Sequence, residues 1–418
     1  MSRDTVRAPE DRRRRLAWFV VLVLFFGSVL NYIDRAVLGV VKPYLQRDLS
    51  LSNTEYGLAV NCFLLTYSAF YILGGRLADR IGYRLMFSVN VVFWSAAAAL
   101  HALSRGLASL CLFRALLGIG EGGYYPAAIR CTSEWFGPEN RAKAVGILLC
   151  GLTVGTLLTP PIVAVITQHW GWRGTFLFVG ALGFLLVPPW LYLLRRLARL
   201  PRPAVEASAS GTGSNGPSLK RVLWHRKYLG FLVARGVTDI VWLFYLFWMP
   251  GYFQEVRGFN LVQVGRLLWI PFFCADIGAL GGAWASSGLV KRGWSVDRSR
   301  KLLLYASAGL GMSGAFAPFV SSSYGALAIV SLVLLAQLSW SSNVHTTITE
   351  IAPPKHVAIL YGITGAAGNG TGALMQPLIG RLVDTHGYAP AFVATAFAYL
   401  VAIGCIIAAG RIEPIRGE

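Results

Sequence analysis

Five consecutive residues, Asn31-Tyr32-Ile33-Asp34-Arg35, place an acid and a base inside an apolar run that begins at Leu16. That run is long enough to cross a bilayer, and a charge at such depth is costly unless it is paired or faces water, so the pair marks a functional site by default. Arg114 and Glu121 stand in a second apolar run, roughly 10 Å apart along nearly one face of a helix. An arginine forks onto two carboxylate oxygens, and a buried acid beside it can change partners when an anion or a proton arrives. Because Asp34 and Arg35 are adjacent they project about 100° apart, one toward a cavity and the other toward a neighbouring helix. Arg114 is then the expected partner of Asp34. Two acids and two arginines in two core spans are suited to handling an anion and a proton.

The elements that position these groups are membrane helices. Hydrophobic residues make up 55% of the 418 and charged residues only 14%, with 13 Trp and 17 Tyr available for the two interfaces. Apolar windows of spanning length recur about twelve times, the first from Leu16 and the last from Ala389. The net charge of +19 is not a nucleic-acid signal. Most of the Lys and Arg fall on one side of the spans: Arg12 to Arg15, Arg76, Arg80 and Arg84, and the loop from Arg195 to Lys227. That asymmetry places both termini in the cytoplasm. The first span is too long for a signal peptide and no cleavage site follows it. Cys62, Cys111, Cys131, Cys150, Cys274 and Cys405 occur singly, without CxxC or histidine at ligand spacing, so neither disulfide nor metal is expected.

The segment from Arg199 to Lys220 is rich in Gly, Ser, Ala and Pro and reads as a flexible linker. It divides the chain into a basic tail (1–15), a six-helix bundle (16–196), a cytoplasmic linker (197–226), a second six-helix bundle (227–410) and a short tail (411–418). Two such bundles around a midplane site are the layout of a transporter that alternates access. An enzyme is not expected, since no metal cluster, phosphate loop or nucleophile constellation appears; no cofactor is expected either.

The most specific motif is Gly75-Arg76-Leu77-Ala78-Asp79-Arg80-Ile81-Gly82-Tyr83-Arg84. It reads as a loop between two spans, with glycines for the turn and Asp79 facing a helix N-terminus. It resembles the signature loop of the major facilitator superfamily, and Gly288-Leu289-Val290-Lys291-Arg292-Gly293-Trp294 is a decayed copy in the second half. Gly75, Asp79, Arg80, Gly82 and Arg84 are accordingly gating elements. Asn31 to Arg35, Gly118-Ile119-Gly120-Glu121-Gly122 with Tyr125-Pro126-Ala127, Glu134-Trp135-Phe136, Trp170-Gly171-Trp172-Arg173, Phe247-Trp248-Met249-Pro250 and Ala275-Asp276 resemble the anion:cation symporter family. Gly293-Trp294-Ser295-Val296 and Ser339-Trp340-Ser341-Ser342-Asn343 are most similar to its hexuronate-transporter branch.

The resemblance implies an all-α membrane protein of twelve transmembrane helices in two pseudo-symmetric bundles. It implies symport of a small organic anion with protons: a sugar acid such as a hexuronate or aldonate, or another carboxylate or sulfonate. It assigns Arg35 to the substrate carboxylate, Tyr32 and Tyr67 to substrate contacts, and Asp34 and Glu121, with Arg114, to proton coupling. Asn343 and Asn369 are the expected substrate contacts of the second half. Arg235 and Asp239, at i and i+4, should satisfy each other, and His345 is expected to be packed and neutral. The protein is expected to act as a monomer in the inner membrane, partnered by lipid, substrate and protons. A proton-driven drug or metabolite efflux antiporter is the alternative, disfavoured because Gly155 is followed by Thr156-Leu157-Leu158-Thr159-Pro160-Pro161 in place of a Gly-Pro pair. Where the hexuronate branch carries polar side chains this chain has Leu64, Thr153 and Leu338, which predicts a ligand with fewer hydroxyls than a hexuronate.

Overall fold

The computed structural model describes residues 3–136, 138–198, 217–353 and 356–415, so most of the linker lies outside the described residues. The regular structure there is helical throughout. Chain order gives α1 (Arg3–Leu49), α2 (Asn53–Ile81), α3 (Tyr83–Leu100), α4 (Leu107–Gly122), α5 (Tyr124–Trp135), α6 (Pro138–Phe184) and α7 (Val187–Ala198). After the linker come α8 (Leu219–Leu223), α9 (Arg226–Glu255), α10 (Leu261–Leu267), α11 (Trp269–Lys291), α12 (Val296–Gly311), α13 (Ser323–Ile351), α14 (Val357–His386) and α15 (Ala389–Ala409).

Among the described residues nine stretches are long and apolar enough to cross a membrane. One of them, Lys143–Leu193, has 51 residues; as a single helix it would run roughly 75 Å, more than twice a bilayer core. It is two spans, divided at Gly171, whose φ of 69° only glycine adopts without strain. The broken pair α4–α5 and the glycine-rich α14 complete twelve crossings.

Packing divides the chain into two compact units. Unit 1 is Met1–Leu38 with Leu65–Ser208, and unit 2 is Gly39–Leu64 with Ala209–Glu418. The boundary cuts through α1 and α2, so the second half of α1 and the first half of α2 pack with the helices that follow the linker.

In unit 1 glycines set how closely helices approach. A Cβ at Gly120 would meet Trp94 at 2.9 Å, and one at Gly122 would meet the Tyr67 carbonyl oxygen at 2.8 Å. This face of α4 lies against α3 and α2. In unit 2 the same device joins α1 to α9, where a Cβ at Gly39 would lie 2.8 Å from the Leu246 carbonyl oxygen. It also joins α2 to α14, where a Cβ at Gly57 would overlap the Gln376 carbonyl. Gly57→Ala should therefore push two backbones apart at a cost of about 1–3 kcal/mol. Its expected result is a melting temperature several degrees lower in detergent; an unchanged transition would show that α2 and α14 are not in such close contact.

Candidate functional site

In unit 1, α1 places Asn31, Tyr32, Asp34 and Arg35 against Tyr67 of α2 and Arg114 and Glu121 of α4. The reason is local: glycines 120 and 122 hold the back of α4 against its neighbours, which leaves the Glu121 side chain free to turn toward α1. Arg35 Nη2 lies 3.1 Å from Glu121 Oε2 and 3.5 Å from Asn31 Oδ1. Its guanidinium carbon sits 4.3 Å from the centre of the Tyr67 ring and 4.8 Å from that of Tyr32, close enough for both to act as cation–π partners. Arg114 and Glu121 are fully buried, with Asp34 and Arg35 nearly so.

The pairing differs from the sequence expectation. Asp34 has both carboxylate oxygens buried and neither is hydrogen-bonded; it senses Arg114 and Glu121 only through space. The ion pair that does form joins Arg35 to Glu121. Two acids and two arginines leave the cluster electrically balanced. An added carboxylate tips it negative by one charge, and one proton restores the balance, which is the electrostatic basis for coupling the two.

The signature motif folds differently from a loop. Helix α2 continues to Ile81, so Gly75 lies inside a helix, and Gly82 (φ 82°) is the break before α3. Arg-Leu-Ala-Asp-Arg contains good helix formers and only Gly82 interrupts them. The side chain of Asp79 lies outside the described ones, and Arg80 is exposed. Arg84 Nε donates to the Tyr83 hydroxyl at 3.2 Å, and the Trp135 indole donates to the same oxygen at 2.7 Å. Glu134 accepts from the Tyr83 hydroxyl at 3.3 Å. The Glu134-Trp135 motif thus clasps the start of α3. Arg173 fixes α6 likewise, donating to the carbonyls of Ala102 and Ser104, each at 3.1 Å.

Unit 2 holds Asn343 and Asn369. Each amide nitrogen bonds a carbonyl of its own helix, Ser339 at 2.9 Å and Gly365 at 3.1 Å, while Asn343 Oδ1 is buried and unbonded. Arg235 Nε reaches Asp239 Oδ2 at 3.3 Å, as the spacing predicts. Gln337 is fully engaged, donating to the Thr238 carbonyl at 2.8 Å and accepting from Tyr399 at 2.5 Å. It is therefore a packing residue. Leu64 is fully buried and the Thr153 hydroxyl is used on the Cys150 carbonyl at 2.9 Å.

One polar centre has no counterpart in the sequence expectations. Lys42 of α1 is fully buried; its Nζ lies 2.7 Å from Glu255 Oε1 and 2.9 Å from the Tyr388 hydroxyl, which donates to Glu255 Oε2 at 2.9 Å. The rings of Tyr56, Trp248 and Tyr388 surround it, each 5.5 Å away. Beside it Asp384 caps the start of α2, accepting from the Asn53 and Thr54 amides at 2.9 and 2.8 Å. These contacts fasten residues 39–64 within unit 2. A lysine in an apolar run was a visible signal, by the same depth argument that singles out Asp34.

Comparison with known proteins adds lineage to this geometry. The family model of the Major Facilitator Superfamily matches residues 24–375. The chain is 30% identical to the probable L-galactonate transporter of Escherichia coli K12, over 97% of this chain and 90% of that one. It is 27% identical to the D-galactonate transporter of Escherichia coli O6:H1, over 98% and 99%. It is 29% identical to the hexuronate transporter of Bacillus subtilis, over 88% of both. Among solved structures, a bacterial homologue of the human lysosomal transporter Spinster, inward-facing and occupied, superposes with a TM-score of 0.78 at 20% identity. It covers 94% of this chain and 97% of that one, and at that identity the likeness is one of fold.

Proposed function

We propose that this chain, which belongs to the Major Facilitator Superfamily and is a transporter, imports a small sugar acid together with protons by alternating access. An aldonate is the first substrate class, on the relatives named for galactonate. The observation that carries the reading is the buried Arg35–Glu121 pair held between Tyr32 and Tyr67 with an unbonded Asp34 alongside. A substrate carboxylate competes with Glu121 for the Arg35 fork, and the displaced acid takes up a proton so that it is not left charged and unpaired in a dry site. Asp34 is the second coupling acid, and Asn343 and Asn369 are the candidate substrate contacts within unit 2. The chain works as a monomer in the cytoplasmic membrane with both termini inside, which the one-sided distribution of Lys and Arg supports.

Labelled galactonate uptake into liposomes bearing the purified protein tests this reading. Uptake should rise several-fold when an inward proton gradient is imposed. Equal uptake with and without the gradient removes proton coupling, and no uptake in either condition removes the substrate class.

An aldonate carries more hydroxyls than a hexuronate, so this reading departs from the expectation drawn from Leu64, Thr153 and Leu338. Leu64 is fully buried, and the Thr153 hydroxyl, which donates to the Cys150 carbonyl, can still accept a hydrogen bond.

A further inference from the structure

The Arg235–Asp239 pair leaves part of its arginine unused. Arg235 spends Nε on Asp239, while its Nη1 is buried and makes no hydrogen bond. His345, on α13, has a buried Nε2 that is also unbonded. The two side chains converge on one ring: the Arg235 guanidinium carbon lies 5.6 Å from the centre of Tyr361, and the His345 ring centre lies 5.3 Å from it. Space accompanies them, since a Cβ at Gly365 would have just one described neighbour within 4 Å, Arg235 Nη2 at 3.7 Å. At Gly368 a Cβ would overlap the Asp239 carboxylate, so α14 is bare where it faces the pair.

A buried guanidinium nitrogen without a partner, beside an imidazole nitrogen that donates when it carries the ring proton, is costly to keep unless a ligand supplies the acceptor. We propose that Arg235 Nη1 and His345 Nε2 form an anion-binding subsite within unit 2, beside Tyr361, distinct from the Arg35 site of unit 1, that takes a small carboxylate or sulfonate. The preference for an anion rests on the Arg235 guanidinium, joined by His345 in the tautomer that carries its proton on Nε2. Asp239 sets its strength, because it neutralises the arginine that the incoming anion must share.

Binding isotherms on the full-length protein in detergent test the subsite, with galactonate, galacturonate, lactate and methanesulfonate as probes and the tightest-binding acid carried through the variants. Arg235→Gln should weaken binding roughly tenfold or more, and His345→Phe, which keeps a ring against Tyr361, several-fold. Asp239→Asn should tighten it, since the guanidinium is freed. A merely structural ion pair predicts lower melting temperatures of the ligand-free Arg235→Gln and Asp239→Asn proteins, with no gain in affinity from Asp239→Asn. An unchanged dissociation constant in Arg235→Gln, or weaker binding in Asp239→Asn, overturns the subsite; if Arg235→Gln does not fold, the sign of the Asp239→Asn effect decides. Whether galactonate leads the four probes tests the sugar-acid reading separately, and binding of none of them overturns both.

Discussion

Glu121→Gln protein in liposomes will exchange internal for external galactonate yet fail to accumulate it when an inward proton gradient is imposed. Glutamine keeps the shape of the side chain and its bond to Arg35 while mimicking an acid that never releases its proton. A proton drives transport only if its affinity differs between loaded and empty or between the two access states, and a group that cannot titrate has no such difference. Asp34→Asn should lose accumulation for the same reason, with exchange surviving in at least one of the two. The loss of uphill transport should be complete, whereas binding survives and tightens, because the Arg35 fork is intact and its competitor is neutral. If both neutral variants still concentrate substrate in response to the gradient, neither acid couples.

Arg35→Lys should raise the substrate concentration needed for half-maximal uptake roughly tenfold or more, since a charge-assisted hydrogen bond contributes about 1.5–3 kcal/mol. Lysine retains the charge, but its compact ammonium cannot present two parallel donors to a carboxylate or lie flat between the Tyr32 and Tyr67 rings. Both losses fall on the ground state and on the competition with Glu121. Normal uptake kinetics in a folded Arg35→Lys protein would take Arg35 out of the site.

Much of the site was legible because cost is legible. Asp34, Arg35, Arg114 and Glu121 stand out in apolar runs, and the glycines around Glu121 signal close backbone packing that the structure shows at Gly120 and Gly122. Which acid meets which arginine was not legible. Sequence spacing places Arg114 and Glu121 on one face but at different depths, and the rotation of α1 against α4, a tertiary quantity, decides that Arg35 reaches Glu121 while Asp34 stays unbonded.

Two further differences have the same origin. The Gly75–Arg84 motif reads as a turn because it is rich in glycine and charge, yet its middle propagates as helix and one positive-φ residue, Gly82, makes the break. The hydrophobic rhythm divides the chain at the linker, whereas packing assigns residues 39–64 to unit 2. That assignment depends on Gly39, Gly57 and Gly380 meeting backbone from distant segments, and on Lys42 finding Glu255 and Tyr388. No local pattern encodes partners so remote.

Proton movement measured during downhill substrate entry tests the central claim most directly. Liposomes carrying the protein and an internal pH-sensitive dye, with equal pH on both sides, should acidify inside when galactonate is added outside. The response should vanish in Glu121→Gln liposomes although labelled galactonate still exchanges across their membranes. Entry of labelled galactonate into wild-type liposomes with no change in internal pH would contradict the coupling of the acid to a proton.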